Sequence, residues 1–587
     1  MMSSAQKRGR KKIGDANLSP LGSATKTVHR GKQAPIARWV SSPDGKQRSQ
    51  SYSLFERRCE SLRQQKFEKL NTAFKGWSQQ MQQQMNDGTS STVSKDGAPK
   101  FFHQAVLEYE RCAGLIRHKY APEMGDVYVW GSSDCGQLGN VDENAKTSRP
   151  CRLQNLSHKG VTKVAAGGIH NVFSTLDGCV YTCGCNDEGQ LGREAKEDYD
   201  QKFPYPVKNC IPSKHQLYKG DADKIVGNNE DESIVDVKAG DSHTLLLSIT
   251  GRLYFAGCYK SSEGKNIRDP RPPDDNTVDP PRGEDDDGNP CVVDKGVKGR
   301  HFNPTHVYLM PGRVHEIACG YVINAALVEK EGYGEEFELL TWGLGEHGEM
   351  GRPVEMPPKH DPNFEKLLIE NMLTPKPVLW AGPTIKRQVL GMACGGFHML
   401  VLARENGSSD VRVYSSGLNQ YGQLGHGDEK ERQELTPIKA LDGKNIFKVG
   451  GGEHFSFALD MTGYELYTWG RADYSQIGIH DEMPKEGSMY CLPQLVQFPA
   501  EDAPVRITNV VAGDRHNLAT SERGDVYTWG YGTEEQLGHG IAKDEHRPRK
   551  IRAKTMWNKE TGKHMGIVRQ LAGGGQHSVA IMTQVEE

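Results

Sequence analysis

No run of apolar residues in this 587-residue chain is long enough to cross a bilayer, and its first residues carry no apolar stretch of the kind a secretory leader needs. Both absences predict an intracellular protein with no membrane partner. The thirteen cysteines are then expected as free thiols rather than as a disulfide framework. They also lack the paired C-x-x-C spacing of a zinc site, the tightest pair being Cys183 and Cys185. An excess of one charge is missing as well. The formal net charge is −3, so the molecule as a whole is no polyanion binder, and any nucleic-acid contact must come from a local patch. Apolar residues make up only 36%. Glycine, by contrast, is in excess at 66 residues, without collagen periodicity, which favours many tight turns in a β-rich repeat architecture.

Several chemical motifs are absent too. No G-x-x-x-x-G-K-[ST] loop occurs, so the chain is not expected to bind nucleotide itself, and no H-E-x-x-H is present. Gly343-Leu-Gly-Glu-His-Gly348 fits G-x-G-x-x-G, but no βαβ unit follows it and sister segments share its position, so it reads as a turn. Gly283-Glu-Asp-Asp-Asp-Gly288 has glycine where a calcium loop needs its first ligand. Neither a cofactor nor a metal is expected.

Three regions differ in texture. Residues 1–52 are polar and basic and contain Lys7, Arg8, Arg10, Lys11 and Lys12. Such a segment cannot bury enough apolar surface to offset its ordering entropy, which predicts a disordered tail. Its basic run has the composition of a nuclear-import or DNA-backbone patch, or of a solvated tail with no reader. Residues 53–123 form a predicted helical extension, with Phe55, Cys59, Leu62, Phe67, Leu70, Phe74, Trp77, Met81 and Met85 recurring mostly at three- or four-residue spacing. Residues 124–587 are repetitive.

One repeat unit begins Val161-Thr-Lys-Val-Ala-Ala-Gly167-Gly168-Ile-His170, continues into an apolar run to Leu176, turns at Asp177-Gly178, and ends Cys183-Gly184 with a Gly189-Gln-Leu-Gly192 loop. Asp-Gly between two apolar runs is a strong hairpin signal. The hairpin half recurs as VYVWGSSDCGQLG (127–139), LLTWGLGEHGEMG (339–351), VYSSGLNQYGQLG (413–425), LYTWGRADYSQIG (466–478) and VYTWGYGTEEQLG (526–538), with a degenerate copy LYFAGCYKSSEGK (253–265). The glycine half recurs as KAGDSH (238–243), ACGGFH (393–398), GGGEH (450–454), VAGDRH (511–516) and GGGQH (573–577), with a degenerate ACGYVI (318–323). Each half occurs seven times. The first hairpin half has no glycine half before it, and the last glycine half has no hairpin half after it. A closed ring satisfies both and leaves no open sheet edge. The expected fold is all-β: a seven-bladed β-propeller with one blade shared by the N- and C-terminal strands.

These units resemble those of the regulator-of-chromosome-condensation family across residues 124–583. Three stretches carry the resemblance most specifically: Gly184-Cys-Asn-Asp-Glu-Gly-Gln-Leu-Gly-Arg193, Ala239-Gly-Asp-Ser-His243 with Gly251-Arg-Leu-Tyr-Phe-Ala-Gly257, and Gly470-Arg-Ala-Asp-Tyr-Ser-Gln-Ile-Gly478. The resemblance implies a guanine-nucleotide exchange factor that promotes GDP release from the small GTPase Ran on chromatin in the nucleus, with no covalent chemistry of its own. Nucleocytoplasmic transport, spindle assembly and mitosis would depend on the Ran-GTP it makes. Implied partners are Ran, core histones and DNA, and importin through the basic tail. A propeller scaffold that binds another protein and catalyses nothing is the alternative, because a W-G…G-Q-L-G repeat by itself gives a fold and not an activity.

The resemblance also implies site residues. Tyr259, Lys260, Ser261, Ser262, Glu263 and Gly264 stand where the family carries a wedge that prises the GTPase open. Asp241 matches the family's key loop aspartate, and His454 a histidine implicated in binding Ran. By the repeat alone, His454 takes the slot of His170, His243, His398, His516 and His577, which favours a structural turn histidine. Asp514 is the other copy with an acid where the glycine half has its second glycine, and Asp134, Asp187 and Arg471 lie in hairpin-half loops that could reach the same face. Two departures stand out. Val322 and Ile323 replace an aspartate and a histidine, which implies either slower exchange or another acid in the aspartate's place. The loop 353–376 offers Lys359, His360, Lys366 and Lys376 but no arginine fork for the nucleosome.

Overall fold

The computed structural model describes residues 124–584 apart from connections of which the longest are 208–233, 268–304 and 330–335; before residue 124 it describes only Gln64 and Glu68, both helical. The basic tail, the rest of the expected helical extension and the run from Gly283 to Gly288 lie outside the described residues.

Seven four-stranded antiparallel sheets are arranged as blades around a central channel. In the first blade the order from the channel outward is Val161–Ala166, His170–Thr175, Val180–Gly184 and Tyr205–Pro206. Blades two to six repeat the plan over 234–306, 314–377, 387–437, 446–495 and 507–550. The seventh is built from both ends of the described chain. Gly566–Gly573 and His577–Gln584 are its inner strands, and Asp126–Gly131 and Thr147–Arg152 its outer ones. Asp126 pairs with Met582, and the ladder runs on to Gly131 opposite His577. The chain is therefore the seven-bladed propeller expected from the repeat, with the shared blade closing the ring.

The second strand of a blade, packed between two sheets, is buried along its length, as in HNVFST (170–175) and HTLLLS (243–248). Trp130, Trp342, Trp469 and Trp529 from the third strands fill the gaps between blades and are fully buried. Three of these indoles donate to the carbonyl of the preceding blade's loop glutamine: Trp130 to Gln536 at 2.7 Å, Trp469 to Gln423 at 2.8 Å and Trp529 to Gln476 at 3.2 Å.

A second set of contacts locks neighbouring blades at the glycine turns. The turn histidine of one blade reaches the first polar residue of the next blade's second strand. His170 Nε2 lies 3.0 Å from Thr244 Oγ1, His243 2.9 Å from Asn324 Oδ1, His398 2.7 Å from Ser456 Oγ, His516 2.8 Å from Ser578 Oγ, and His577 3.0 Å from Asn171 Oδ1. Burial holds these imidazoles far below the usual range, to about 3 for His577 and about 4 for His243, so they act as neutral hydrogen-bonding groups. The turns themselves pack glycine on carbonyl. A Cβ on Gly240 would sit 2.5 Å from Gly320 O, and one on Gly574 2.6 Å from Gly167 O. Side chains cannot fit there, which is why the first glycine recurs in every turn.

Five of the hairpin-half loops are folded by a glutamine whose carboxamide oxygen accepts the N–H two residues earlier, as in Gln137 with Cys135 at 2.9 Å. The third blade has Glu349 in this slot, accepting from His347 N. Glu349 is fully buried, and burial pushes its carboxyl up to about 7. Between about pH 4.5 and 7 the unfolded chain releases a proton that the folded chain retains, so this group's contribution to stability falls as pH rises through that window. Replacement by the glutamine of the sister loops removes the penalty. Glu349→Gln is expected to raise stability at pH 8 by on the order of 2–3 kcal/mol and to change it little near pH 4.5. Denaturant unfolding at the two pH values checks this, and an equal effect at both would refute it.

Candidate functional site

Chain direction assigns the faces. Inner strands run up to the glycine turns, second strands run down to the turns that join them to the third strands, and third strands run up again to the hairpin-half loops. All seven glycine turns and all hairpin-half loops therefore share one face. Asp134, Asp187, Asp241, His454, Arg471, Asp514, Tyr259 and Lys260 all belong to it by topology.

The degenerate second hairpin departs from its siblings at Tyr259. Its ring is fully buried and packs on His243 at 5.0 Å and Phe255 at 4.9 Å between centroids. Its hydroxyl accepts from Asn324 Nδ2 at 2.7 Å. In sister blades the equivalent strand residue donates to the loop glutamine's carbonyl, as Thr244 does to Gln190 at 2.7 Å. Tyr259 thus replaces the missing loop as the local hydrogen-bond partner, and it roots the segment rather than projecting from it. Trp342, which would find a glutamine carbonyl there, has an indole N–H with no partner among the described residues. From the root, Tyr259–Lys260 pairs with Asn266–Ile267 as a small two-stranded hairpin. Lys260 is exposed, 3.9 Å from Glu188. Ser261, Ser262, Glu263 and Gly264 lie outside the described residues.

The fifth turn has a different register from the one its sequence suggests. Phe455, not His454, is opposite the hairpin glycine Gly470 and returns its carbonyl to the turn glycine, Gly452 N donating to it at 3.0 Å. His170 and His243 hold the same relation to Gly184 and Gly257. His454 is therefore not in the slot of the structural histidines. It occupies the third turn position, shared with Ile169, Ser242, Val322, Phe397, Arg515 and Gln576. The same shift moves Glu453 into the second position, with Gly168, Asp241, Tyr321, Gly396, Asp514 and Gly575. Sequence comparison therefore missed a third acid at that level. The signal was Phe455 itself, an apolar residue opening a strand whose siblings open with histidine.

Four of these second-position residues, Gly168, Tyr321, Gly396 and Asp514, line the channel's cavity of about 100 Å³, and the charges of Asp241 and Glu453 lie near enough to act on Asp514. Tyr321 of the third blade and Asp514 of the sixth line the same cavity, so Tyr321 reaches across the ring toward that carboxyl. Burial raises the Asp514 carboxyl to about 7. Tyr321 and Arg515 oppose that rise, and the charges of Glu453 and Asp241 add to it. Asp241 is partly buried and accepts from Ser242 Oγ at 2.9 Å.

Beside this acidic mouth lies an aromatic and cationic band on blades four to six. The buried His454 ring stacks on Phe397 at 5.4 Å and 17° and meets Tyr421 at 4.9 Å. Burial lowers its imidazole to about 4. Arg471 forks onto Asp473 at 2.8 and 2.9 Å, with its guanidinium 4.8 Å from Tyr421 and 4.9 Å from Tyr474. Arg515 pairs with Glu453 at 2.8 Å. Exposed Asp134 and Asp187 stand on the closing and first blades, away from this band. The face thus has Asp134, Asp187 and Asp241 on the closing, first and second blades, and stacked aromatics with internally paired arginines on the fourth to sixth, beside Glu453 and Asp514. The loop 353–376 contains a short helix, Phe364–Leu368, that runs into a π-helical turn, Ile369–Leu373, and is anchored by Arg352 donating to Asn371 O at 3.1 Å. Its His360 is exposed, while Lys359 lies outside the described residues. Among the described residues no group of three or more potential metal ligands occurs.

An RCC1-like domain model matches residues 126–580. The regulator of chromosome condensation of Homo sapiens is 27% identical over 80% of this chain and 94% of its own length. The Saccharomyces cerevisiae guanine nucleotide exchange factor SRM1 is 25% identical over 83% of this chain and 95% of its own. Among solved structures, that of Prp20p from Saccharomyces cerevisiae, described with its binding to Gsp1p and histones, superposes with a TM-score of 0.59 at 21% identity and covers 79% of this chain and 93% of the other. Prp20, also described as yeast RCC1, has been crystallised with Kap60.

The effect of Tyr321 on Asp514 has a direct test. Tyr321→Phe removes the hydroxyl that stabilises the Asp514 carboxylate, so the Asp514 titration midpoint is expected to move above 7. Carboxyl NMR of aspartate-labelled protein measures it, and an unmoved midpoint would refute the effect.

Proposed function

The chain belongs to the RCC1-like domain family, and we propose that it is a guanine-nucleotide exchange factor for the small GTPase Ran that acts on chromatin in the nucleus. The observation that carries this reading is the acidic mouth. Asp241, Glu453 and Asp514 hold equivalent positions in three turns of a rigid ring, on the same face as the one hairpin whose loop has left the repeat. The curated relatives that match along nearly their whole length are regulators of chromosome condensation and an exchange factor.

Exchange requires stronger binding to nucleotide-free GTPase than to the loaded form. A rate gain of about 10⁵ corresponds to roughly 7 kcal/mol of such difference. In this reading the acids compete with phosphate for the lysine of the GTPase's nucleotide-binding loop. The segment rooted by Tyr259 and continuing through Lys260, Ser261, Ser262, Glu263 and Gly264 displaces the elements that hold nucleotide and magnesium. His454, on its platform of Phe397 and Tyr421, offers a fixed neutral edge, and Asp134, Asp187 and Arg471 border the contact. A rigid ring suits this work, because contacts held in place cost little ordering on binding. Lys7, Arg8, Arg10, Lys11 and Lys12 serve nuclear import through importin and contact DNA, while histone contact falls to the propeller.

Val322, where the family has an aspartate, favours a second reading. A valine cannot pair with a lysine, and Tyr321 beside it covers the channel mouth, as a scaffold without exchange activity could equally carry. Stopped-flow release of fluorescent GDP separates the two. Acceleration on Ran and not on an unrelated GTPase is expected at micromolar protein, and its absence would leave the scaffold. Asp241→Asn is expected to slow release by about tenfold or more, about 1.4 kcal/mol of lost stabilisation. His516→Ala is expected to lower Tm while changing the release rate of the folded protein little, the reverse of His454→Ala.

A further inference from the structure

On the face that carries the turns, neighbouring blades touch through one repeated contact. The residue two before the loop glutamine of one blade meets the residue that follows the hairpin glycine of the next. Between the first and second blades Cys258 Sγ donates to Glu188 Oε2 at 3.5 Å. Between the fourth and fifth the Arg471 guanidinium lies 4.8 Å from the Tyr421 ring. Between the fifth and sixth the rings of Tyr474 and Tyr531 are 5.5 Å apart. At the joint between the closing and first blades the same two positions are Cys135 and Cys185, so the repeated contact sets one free thiol against the other.

We propose that Cys135 and Cys185 are a redox pair that forms a reversible disulfide across this joint when the protein meets a peroxide. Both sulfurs are held by their loops. Cys135 N donates to Gln137 Oε1 at 2.9 Å, and Cys185 N to Ile169 O at 3.0 Å. Cys135 is partly exposed and Cys185 buried, so an oxidant reaches one thiol first with the other waiting behind it.

The facing Cys185 thiol pulls the Cys135 thiol down to about 7, against burial and the charges of Asp187 and Asp134. Cys135 therefore carries substantial thiolate near neutral pH, the form that attacks peroxide. The thiolate sulfur bonds to one peroxide oxygen and the O–O bond breaks. Hydroxide leaves and takes up a proton, giving one water and a sulfenic acid on Cys135. The Cys185 sulfur then attacks that sulfur, the S–O bond breaks, and the departing hydroxide takes the Cys185 proton as a second water. Two thiols have lost two electrons and two protons, and peroxide has gained them. Neighbouring thiols are poorer candidates. Burial pushes Cys183 up to about 12, and Cys319 and Cys394 are raised by burial as well. The bond would tie the exposed Asp134 and Asp187 loops together. This inference stands apart from the exchange reading, because it requires no GTPase.

The test uses the full chain, exposed to a few-fold excess of hydrogen peroxide, alkylated, and digested with trypsin without reductant. Mass spectrometry is expected to find peptide 120–146 linked to peptide 164–193, with fragmentation placing the bond at Cys185 and dithiothreitol releasing it. The link should vanish in Cys135→Ser and in Cys185→Ser and persist in Cys183→Ser. It should form at least about tenfold faster than oxidation of the exposed Cys151, which lacks the facing thiol that favours thiolate at Cys135. Cys135 recovered as unlinked sulfinic acid, or joined instead to Cys179 or Cys183, would overturn the proposal. Differential alkylation of the unsubstituted protein gives the same answer if a serine variant does not fold.

Discussion

The ring depends on what each blade does for the next at the glycine turn. A four-stranded sheet has two faces to bury and two edges to cover, and no blade can satisfy these alone. Here the faces are filled by the third-strand tryptophans and second-strand aliphatics, and register between blades is set by a neutral histidine crossing to the following sheet. Each crossing joins groups that would be costly to leave buried and unpaired. Two turns lack the histidine, and they show what it does. Ile323 faces a neighbouring strand that opens with apolar Met399, so the polar pair has been replaced on both sides. Phe455 has replaced only the donor, and Asn517 Oδ1 of the next blade is left without a partner among the described residues.

Positions that carry the crossing are not free to carry function. The first turn glycine, the histidine and the loop glutamine are fixed by close approach and hydrogen bonding. The second and third turn positions, and the residue after the hairpin glycine, face the open end of the ring and vary from blade to blade. The carboxylates, the aromatic stack and the cysteine pair all fall at these variable positions or at the loop position they touch. The second blade goes further and gives up the glutamine loop itself. Tyr259 recovers part of the lost bonding through Asn324, and Trp342 does not recover its acceptor. The lost loop leaves the Trp342 indole N–H buried without a partner among the described residues, a local departure from the repeat of the kind found at functional sites.

Much of this was legible in the chain. Seven glycine halves, seven hairpin halves and their staggered ends required a closed circle, because antiparallel strands must be paired or covered. The placement of Asp241 beside the second-blade hairpin followed from strand direction alone. The fifth turn was misread because Gly450, Gly451 and Gly452 offer several registers and His454 supplies the expected letter one place early. Only pairing with Gly470 distinguishes it from Phe455. Tyr259 was misread for a related reason: a polar, degenerate loop gives no sign that its first residue is the one that fills the core.

The amino-acid sequence by itself determined the number of blades, the closure, the face on which the turns gather and the family, since all four follow from a period and from local turn chemistry. Tertiary structure alone decided that Tyr321 reaches Asp514 across the channel, that Glu453 joins two aspartates, that His454 rests on Phe397 and Tyr421, and that Cys135 meets Cys185. Cys135 and Cys185 are brought together because adjacent blades abut, whereas Tyr321 and Asp514, three blades apart, meet across the channel. Periodicity in a chain fixes which residues are equivalent, and only the packed ring fixes which of them touch.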